Sequence, residues 1–571
     1  MPRGRIFAAL FLFCLITQAG AILRTTMPSQ DGLKFIDIAR EFDRQPAWDV
    51  VRSADQHPLY PMLVNQVHRG LSAVNQLGPP GAWRISAQLV SLMAMLAALW
   101  PIYSISRRLA GERAGLIAVF CWLVLPLPFA IGHETLSDAL ALCLGLWAIE
   151  LGLKSAETNV SRFRIYYSIG SALAVAAAYW TRPEGLLAGL SIAVFQGLGW
   201  IKSKSSAEIK AHRFSRIIGL TSFCLIVGLS VLAYLWVNGS ITDRLVAFTP
   251  VEKNTSVVEP SMSHLPKGLP WALRDASLDF SPKDESREVR LTGMKPGLWR
   301  MLVAWSEGLG IVLAVLCLSG LFRGAVQSRE ANWLIRIHLA LLLLALAYQS
   351  IFRGYLSERH MLMVICLSLP FVGTGLMIAH SDLSRWLRLS AGASLFLARV
   401  GLGLLLVAGI YLQAKPEHAS RRPHLEAGRW LAGHSSAASA VFDTRGWASF
   451  EAGRRRYDPY HIAQALSDRT TEYFVVESGE LESGSGRAKT YARIINEGGE
   501  LAAKFTRKKG ASSPSDVLVF QWSRPLAWND ADKPFGREEG RRQIADSTAK
   551  PLHDDTIRPV AHRPIQEERR R

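Results

Sequence analysis

Long runs of roughly 20 residues carry almost no charge in this chain of 571 residues. No other feature constrains the fold as much, because a helix of that length crosses ~30 Å of hydrocarbon. About eleven spans are expected, near residues 6–23, 84–103, 114–132, 135–153, 165–180, 185–201, 217–237, 300–322, 334–352, 360–379 and 398–414. The expected fold class is therefore mainly α, a polytopic transmembrane helical bundle. The first run follows Arg3 and Arg5, and Ala19-Gly20-Ala21 within it resembles a signal cleavage site. The favoured reading is an uncleaved helix, and either reading puts the next loop across the membrane. The segment 383–397 is expected either to lie flat on the membrane or to lead into the last span.

Direction follows from basic residues in short loops. One set of loops holds Arg107, Arg108 and Arg113, then Lys154, Arg162 and Arg164, then Lys202, Lys204, Lys210, Arg213 and Arg216, then Arg323, Arg329 and Arg336, then Arg385 and Arg388. The alternate short loops hold only Arg182, Arg353 and Arg359. The first set is expected in the cytoplasm. This pattern also accounts for the formal net charge of +18, so no nucleic-acid partner is expected. All six cysteines lie in apolar runs without pairing or ligand spacing, and neither disulfides nor a cysteine metal site is expected.

The domain reading is a membrane domain over 1–415 with outer loops at 24–82 and 238–298, an extracytoplasmic α/β domain over 416–536, and a disordered polar tail over 537–571. In the first loop, Phe35, Ile38, Ala39 and Phe42 recur at helical spacing, as do Leu59, Met62, Leu63, Val67, Leu71 and Val74. The second is expected to be an irregular loop with a short helix. In the C-terminal region a helical pattern over 424–431 precedes strand-like runs at 440–442, 473–476 and 516–522. The tail is charged and poor in aromatics. No internal repeat is visible.

Candidate chemistry clusters at five places on the outer side, where ionisable groups at membrane depth point to function. Asp31 and Lys34 open the first outer helix, where an acid also serves as a first-turn charge. His57 and Tyr60 flank the turn His57-Pro58-Leu59-Tyr60-Pro61, suited either to a polar substrate or to packing. His133, Glu134 and Asp138 form an acidic turn; the two acids share a helix face if the next span starts at Glu134. Arg182 and Glu184 in Thr181-Arg182-Pro183-Glu184-Gly185 either pair or line a headgroup site. Arg353, Arg359 and His360 run against the positive-inside trend, and arginine suits phosphate. The chain has no phosphate loop, no dinucleotide loop, no H-E-x-x-H and no nucleophile elbow.

The order of these pieces resembles the membrane glycosyltransferases of the GT-C fold, in the bacterial branch related to protein mannosyltransferases and aminoarabinose transferases, over roughly residues 1–415. The resemblance implies a sugar donor linked to a polyprenyl phosphate and a lipid, glycan or protein acceptor, with membrane lipids as surroundings. It implies that Asp31 acts as general base or orients the acceptor, that Glu134 matches a second-loop acid, and that Arg353 and Arg359 hold the lipid phosphate. Lys34, His57, Tyr60, His133, Asp138, Arg182, Glu184 and His360 are the further expected substrate-binding residues. No cofactor is certain; a divalent metal is conceivable, but Gly32 stands where many relatives place a second acid, which weakens that claim. A prokaryotic inner membrane is implied. Two other classes stay open at this point. A lipid or polysaccharide flippase would need related halves and buried midplane charge, for which only Glu150 and Glu307 offer themselves. A non-catalytic scaffold would act through its outer domain.

Overall fold

The computed structural model describes residues 3–72, 79–201, 207–239, 294–325, 327–414, 418–483, 485–506 and 516–523. Most of the expected second loop and the whole expected tail lie outside these residues. Among the described residues, seven helices are long and apolar enough to cross a membrane, or nine if each of two bent pairs forms one span.

The bundle begins with α1 (Arg3–Arg24), α2 (Gln30–Glu41), α3 (Ala47–Ser53) and α4 (Leu59–Ser72). Helix α2 starts where Ser29 caps it, its hydroxyl accepting from Gly32 N at 3.0 Å. It buries Leu33, Phe35, Ile36 and Ala39, the stripe that helical periodicity dictates. Asn65 Nδ2 of α4 donates to Ala39 O at 3.0 Å and locks the two amphipathic helices together.

Next come α5 (Pro79–Ala110), α6 (Glu112–Val124), α7 (Pro126–His133), α8 (Asp138–Glu157), α9 (Ser161–Thr181), α10 (Gly185–Ile201) and α11 (Ala207–Asn238). The expected third span is not straight. It bends by 66° between α6 and α7, because Pro126 lacks an N–H and drives Leu125 to ψ 136°. The next span opens at Asp138, not Glu134, so the two acids of this turn do not share a helix face.

The last bundle helices are α12 (Met294–Leu309), α13 (Ile311–Arg323), α14 (Arg329–Phe352), α15 (Leu362–Trp386) and α16 (Ala391–Ala414). The eighth span expected at 300–322 breaks at Gly310, whose φ of +76° suits glycine, and α12 meets α13 at 103°. Helix α13 then crosses α15 so closely that a Cβ on Gly320 would lie 1.9 Å from Phe371 O. Small residues permit that approach where hydrocarbon offers no hydrophobic drive between helices. Segment 383–397 closes α15, turns, and opens α16.

The basic loops share one face. Gln327 N and Ser328 N donate to Leu109 O and Arg108 O at 3.0 and 3.1 Å. Arg323 pairs with Asp382 at 2.8 Å and Arg108 with Glu157 at 2.9 Å. Glu150, fully buried, is held at the same end by Arg108, by Ser104 at 3.0 Å and by Lys154 at 3.5 Å. Glu307, expected to be buried, is exposed on α12 and near enough to Glu358 for the carboxylates to repel. Glu150 is thus a paired charge at the basic end and gives no support to the flippase reading.

Beyond the bundle, five strands form one sheet in the order β2-β1-β3-β5-β4: β1 (Ala440–Asp443), β2 (Arg455–Tyr457), β3 (Thr471–Glu477), β4 (Gly499–Phe505) and β5 (Val517–Trp522). Strands β2 and β3 flank β1 in parallel, whereas β5 runs antiparallel to β3 and β4. Helices cover both faces, so β1 and β3 read as continuous apolar runs. Phe442, Phe474 and Trp522 pack on one side and Val441, Val475 and Val519 on the other. This domain docks on the segment between α1 and α3. Trp447 Nε1 donates to Pro28 O at 3.0 Å, Arg421 Nη1 donates to Pro28 O at 2.9 Å, and Arg456 pairs with Asp37 at 2.6 Å.

Candidate functional site

On the face opposite the basic loops, four connections converge. Asp31 stands in the first turn of α2 with its side chain 56% exposed, and its Oδ2 accepts from Arg359 Nη2 at 3.0 Å. Arg359 comes from a single 3-10 turn, Glu358–Met361, that leads into α15. Gly354, at φ +64°, reverses the chain just after α14 and lets this turn form.

The second pair lies deeper. Asp138, in the first turn of α8, has a side chain only 2% exposed and accepts from Arg182 Nη1 at 2.6 Å. Arg182 sits at the C-cap of α9, held there by the extended backbone before Pro183. The pairs act on each other: Arg359 feels Asp138, and Arg182 feels Asp31 and Glu184. His360 lies within the field of Arg182, Glu184, Asp138 and Arg359. Two carboxylates and two guanidiniums thus form one charged cluster, the floor of the candidate site. Among the described residues, Asp138 Oδ2 and Arg182 Nε are buried there without a hydrogen-bond partner. Buried polar groups are normally satisfied, so this acceptor and donor stand out as the unsatisfied atoms of the cluster.

Gly32 explains the absent second acid. A Cβ there would lie 1.7 Å from Thr135 Oγ1 and 2.7 Å from Ser29 Oγ. Thr135 is fully buried and β-branched, so it has nowhere to go. The first turn of α2, which carries Asp31, is therefore pressed onto the turn between α7 and α8 that precedes Asp138. Gly32→Ala is expected to lower the thermal unfolding midpoint, by a free energy of about 1–3 kcal/mol, and to impair activity beyond the folded fraction; an unaltered midpoint would refute the contact.

Glu134 follows a different course from the quartet. Its side chain is 8% exposed and meets His418 Nε2 at 2.5 Å and Arg421 Nη1 at 3.8 Å, both from the start of the C-terminal domain. Burial pushes this carboxyl up, but His418, Arg421 and His133 outweigh it and hold it below the usual range. His418 and Arg421 were not singled out from sequence. Nothing local marks them, since they lie more than 280 residues from Glu134, and only folding makes them neighbours.

The remaining candidates fall elsewhere. His57 is buried, stacked on Tyr234 at 4.7 Å and edge-on to Tyr179 at 5.3 Å. Tyr60 is fully buried and donates to Ala87 O at 3.1 Å. His133 is fully buried, with Nδ1 2.8 Å from Phe129 O. All three lie inside the helix packing, outside the four-residue cluster. Lys34 is exposed one turn along α2 from Asp31, and Arg353 is half-buried at the C-cap of α14. Among the described residues no three His, Cys, Asp or Glu side chains come together as a metal-binding group. The two acids of the quartet are each engaged by arginine, so the donor set does not fit a divalent ion in this arrangement.

Residues 75–236 match the family model for dolichyl-phosphate-mannose-protein mannosyltransferase. That region contributes Asp138, Arg182 and Glu184 to the floor, and leaves Asp31 and Arg359 to the rest of the bundle. No curated protein matches the chain by sequence. Among solved structures, ArnT from Cupriavidus metallidurans bound to undecaprenyl phosphate is similar with a TM-score of 0.56 at 12% identity, over 91% of this chain and 98% of that one. The oligosaccharyltransferase of Archaeoglobus fulgidus in its apo form gives 0.54 at 12% identity, over 92% and 75%. AglB from Archaeoglobus fulgidus, in complex with an inhibitory peptide and a dolichol-phosphate, gives 0.52 at 12% identity, over 94% and 75%. At such identity the likeness is one of fold.

Proposed function

We infer that this multi-pass membrane protein, which has the GT-C glycosyltransferase fold and carries the dolichyl-phosphate-mannose-protein mannosyltransferase domain over residues 75–236, transfers a sugar from a polyprenyl-phosphate donor to a lipid, glycan or protein acceptor. The observation that carries this reading is the quartet of Asp31, Arg359, Asp138 and Arg182, with an unsatisfied acceptor and donor at its floor. The structures it resembles support the donor class, since one holds undecaprenyl phosphate and another a dolichol-phosphate.

The chemistry divides between the two pairs. The exposed Asp31–Arg359 pair is the one a ligand can open. A phosphate oxygen competes with a carboxylate for a guanidinium, and a planar fork accommodates either. Donor binding draws Arg359 onto the lipid phosphate and leaves Asp31 free to take the acceptor's proton. Arg359 then stabilises charge on the departing phosphate. The buried Asp138–Arg182 pair is the fixed platform, with Arg182 turned by Asp138 toward the same space. Glu134 belongs to the support of this floor and not to proton transfer, because its carboxylate is engaged by His418 and Arg421. With Asp31 as the base and no second nucleophile assigned among the described residues, transfer is expected to proceed with inversion at the sugar carbon.

The positive-inside reading assigns the quartet and the C-terminal domain to the outer side of a prokaryotic inner membrane. The domain boundaries near 415 and 536 belong to the same reading. The docking of the α/β domain against Pro28 and Asp37, on the segment that carries Asp31, supports a role for it in acceptor binding.

The test is a transfer assay in membranes with a panel of polyprenyl-phosphate sugars, comparing wild type with Arg359→Ala. Wild type is expected to use at least one donor with inverted anomeric configuration. Arg359→Ala is expected to lose about 10²-fold, with Arg359→Lys recovering only part because the fork is gone. Retained configuration would remove the single-displacement step, and no transfer from folded protein with any donor would remove the enzyme reading.

A further inference from the structure

The face that carries the basic loops holds a second feature, a cavity of about 440 Å³ between the ends of α8, α9, α10, α11 and α14. Arg164, Arg216 and Arg329 line it, with Glu330 as the one carboxylate on the described wall. Arg164 is 4% exposed, and its guanidinium is fixed by bonds to Ser215 Oγ at 2.7 Å, Thr158 O at 2.6 Å and Ser155 O at 3.3 Å. Arg216 is near enough for the two cations to repel. Gln196 Nε2, also on the wall, is buried without a hydrogen-bond partner.

Positive charge gathered in a cavity stores repulsion that a bound anion relieves. The donors are of the right kind: planar guanidiniums and an amide N–H match phosphate oxygens. The site is also at the right depth. It opens where the spans end, and Trp333 stands at its wall 46% exposed, as tryptophans do at a membrane boundary. Ile337, one turn further along α14, continues the wall with apolar surface. A polar recess leading to an apolar flank fits a headgroup with its tails still in the bilayer.

We propose that this cavity binds a phosphate-bearing group, supplied by the headgroup of an anionic phospholipid in the leaflet beside the basic loops. The site is separate from the quartet and does not depend on the transfer reaction.

The test uses full-length protein, delipidated in neutral detergent, with lipid retention read by native mass spectrometry and the unfolding midpoint read in parallel. Phosphatidylglycerol is compared with phosphatidylcholine and with inorganic phosphate. Wild type is expected to retain phosphatidylglycerol at least tenfold more strongly than phosphatidylcholine and to gain thermal stability from it. Arg216→Ala and Arg329→Ala are each expected to weaken retention about tenfold. Arg162→Ala, which removes an exposed cation of the same face outside the cavity, is expected to leave it unchanged. Equal retention of the two lipids, or an equal loss in Arg162→Ala, overturns the site in favour of diffuse surface charge. Binding of inorganic phosphate with the same variant pattern, without binding of phosphatidylglycerol, overturns the lipid source. The lipid-free unfolding midpoints show whether each variant is folded, and Arg216→Lys keeps the charge where the alanine variant fails to fold.

Discussion

Replacing Asp31 by Asn is expected to lower sugar transfer by about 10²-fold or more while leaving the protein folded. The side chain is 56% exposed and sits in a helix first turn, where Asn keeps the size and loses only the charge. Removing that charge has two consequences with opposite signs. Proton removal from the acceptor fails, so kcat falls. Arg359 loses its hydrogen-bonded partner, so competition with the donor phosphate for it weakens, and the KM for donor does not rise. A structural role for Asp31 would instead lower the unfolding midpoint and raise KM with it. Initial rates at varied donor concentration separate the two, and a kcat within twofold of wild type would dismiss Asp31 as the base.

Arg182→Ala carries the largest expected cost in stability. It leaves the Asp138 carboxylate, 2% exposed, without its 2.6 Å partner. Its second oxygen is already without a hydrogen bond. Truncating one member of a buried pair costs about 3–5 kcal/mol, because the remaining charge keeps its desolvation penalty without the compensating attraction. The double variant Arg182→Ala/Asp138→Asn is expected to regain more than half of that loss, since it removes the stranded charge as well. Unfolding midpoints in detergent, for both singles and the double, give the coupling. A single variant as stable as wild type would mean that water reaches Asp138 and that the pair is no fixed platform.

The helices of the site were legible in the sequence because each is announced by its own neighbours. Ser29 and Asp31 start α2, Pro58 and Pro61 accompany α4, and basic residues close the spans. Breaks within spans were less legible. Pro126 is a strong local signal, yet the apolar run continues through it, and composition alone cannot distinguish a 66° bend from a straight crossing. Gly310 is one glycine among 45 until its φ is known. Strand β4, Gly499–Phe505, reads as helix by composition, with Glu, Leu, two Ala and Lys. It becomes a strand because β5 offers a register to pair with, a tertiary effect that overrides propensity. Strand β2 is three residues at a sheet edge, too short for any period to show. The candidate acids and arginines were legible because charges beside apolar spans conflict with their surroundings. Which of them meet was not, because Asp31 and Arg359 are 328 residues apart.

The link between Glu134 and the pair His418 and Arg421 bears on the order in which the molecule comes into being. Glu134 enters its buried turn when the first third of the polypeptide has left the ribosome, whereas its partners emerge only after the last apolar helix, at Ala414. During that interval the bundle holds a carboxylate without the two partners that the C-terminal segment supplies. Truncation at Ala414 would preserve every apolar segment and still leave this defect, so a C-terminally shortened protein is a poor vehicle for studying the bundle alone. Maturation of the floor is in this sense a last-step event, completed by the segment that joins the two domains.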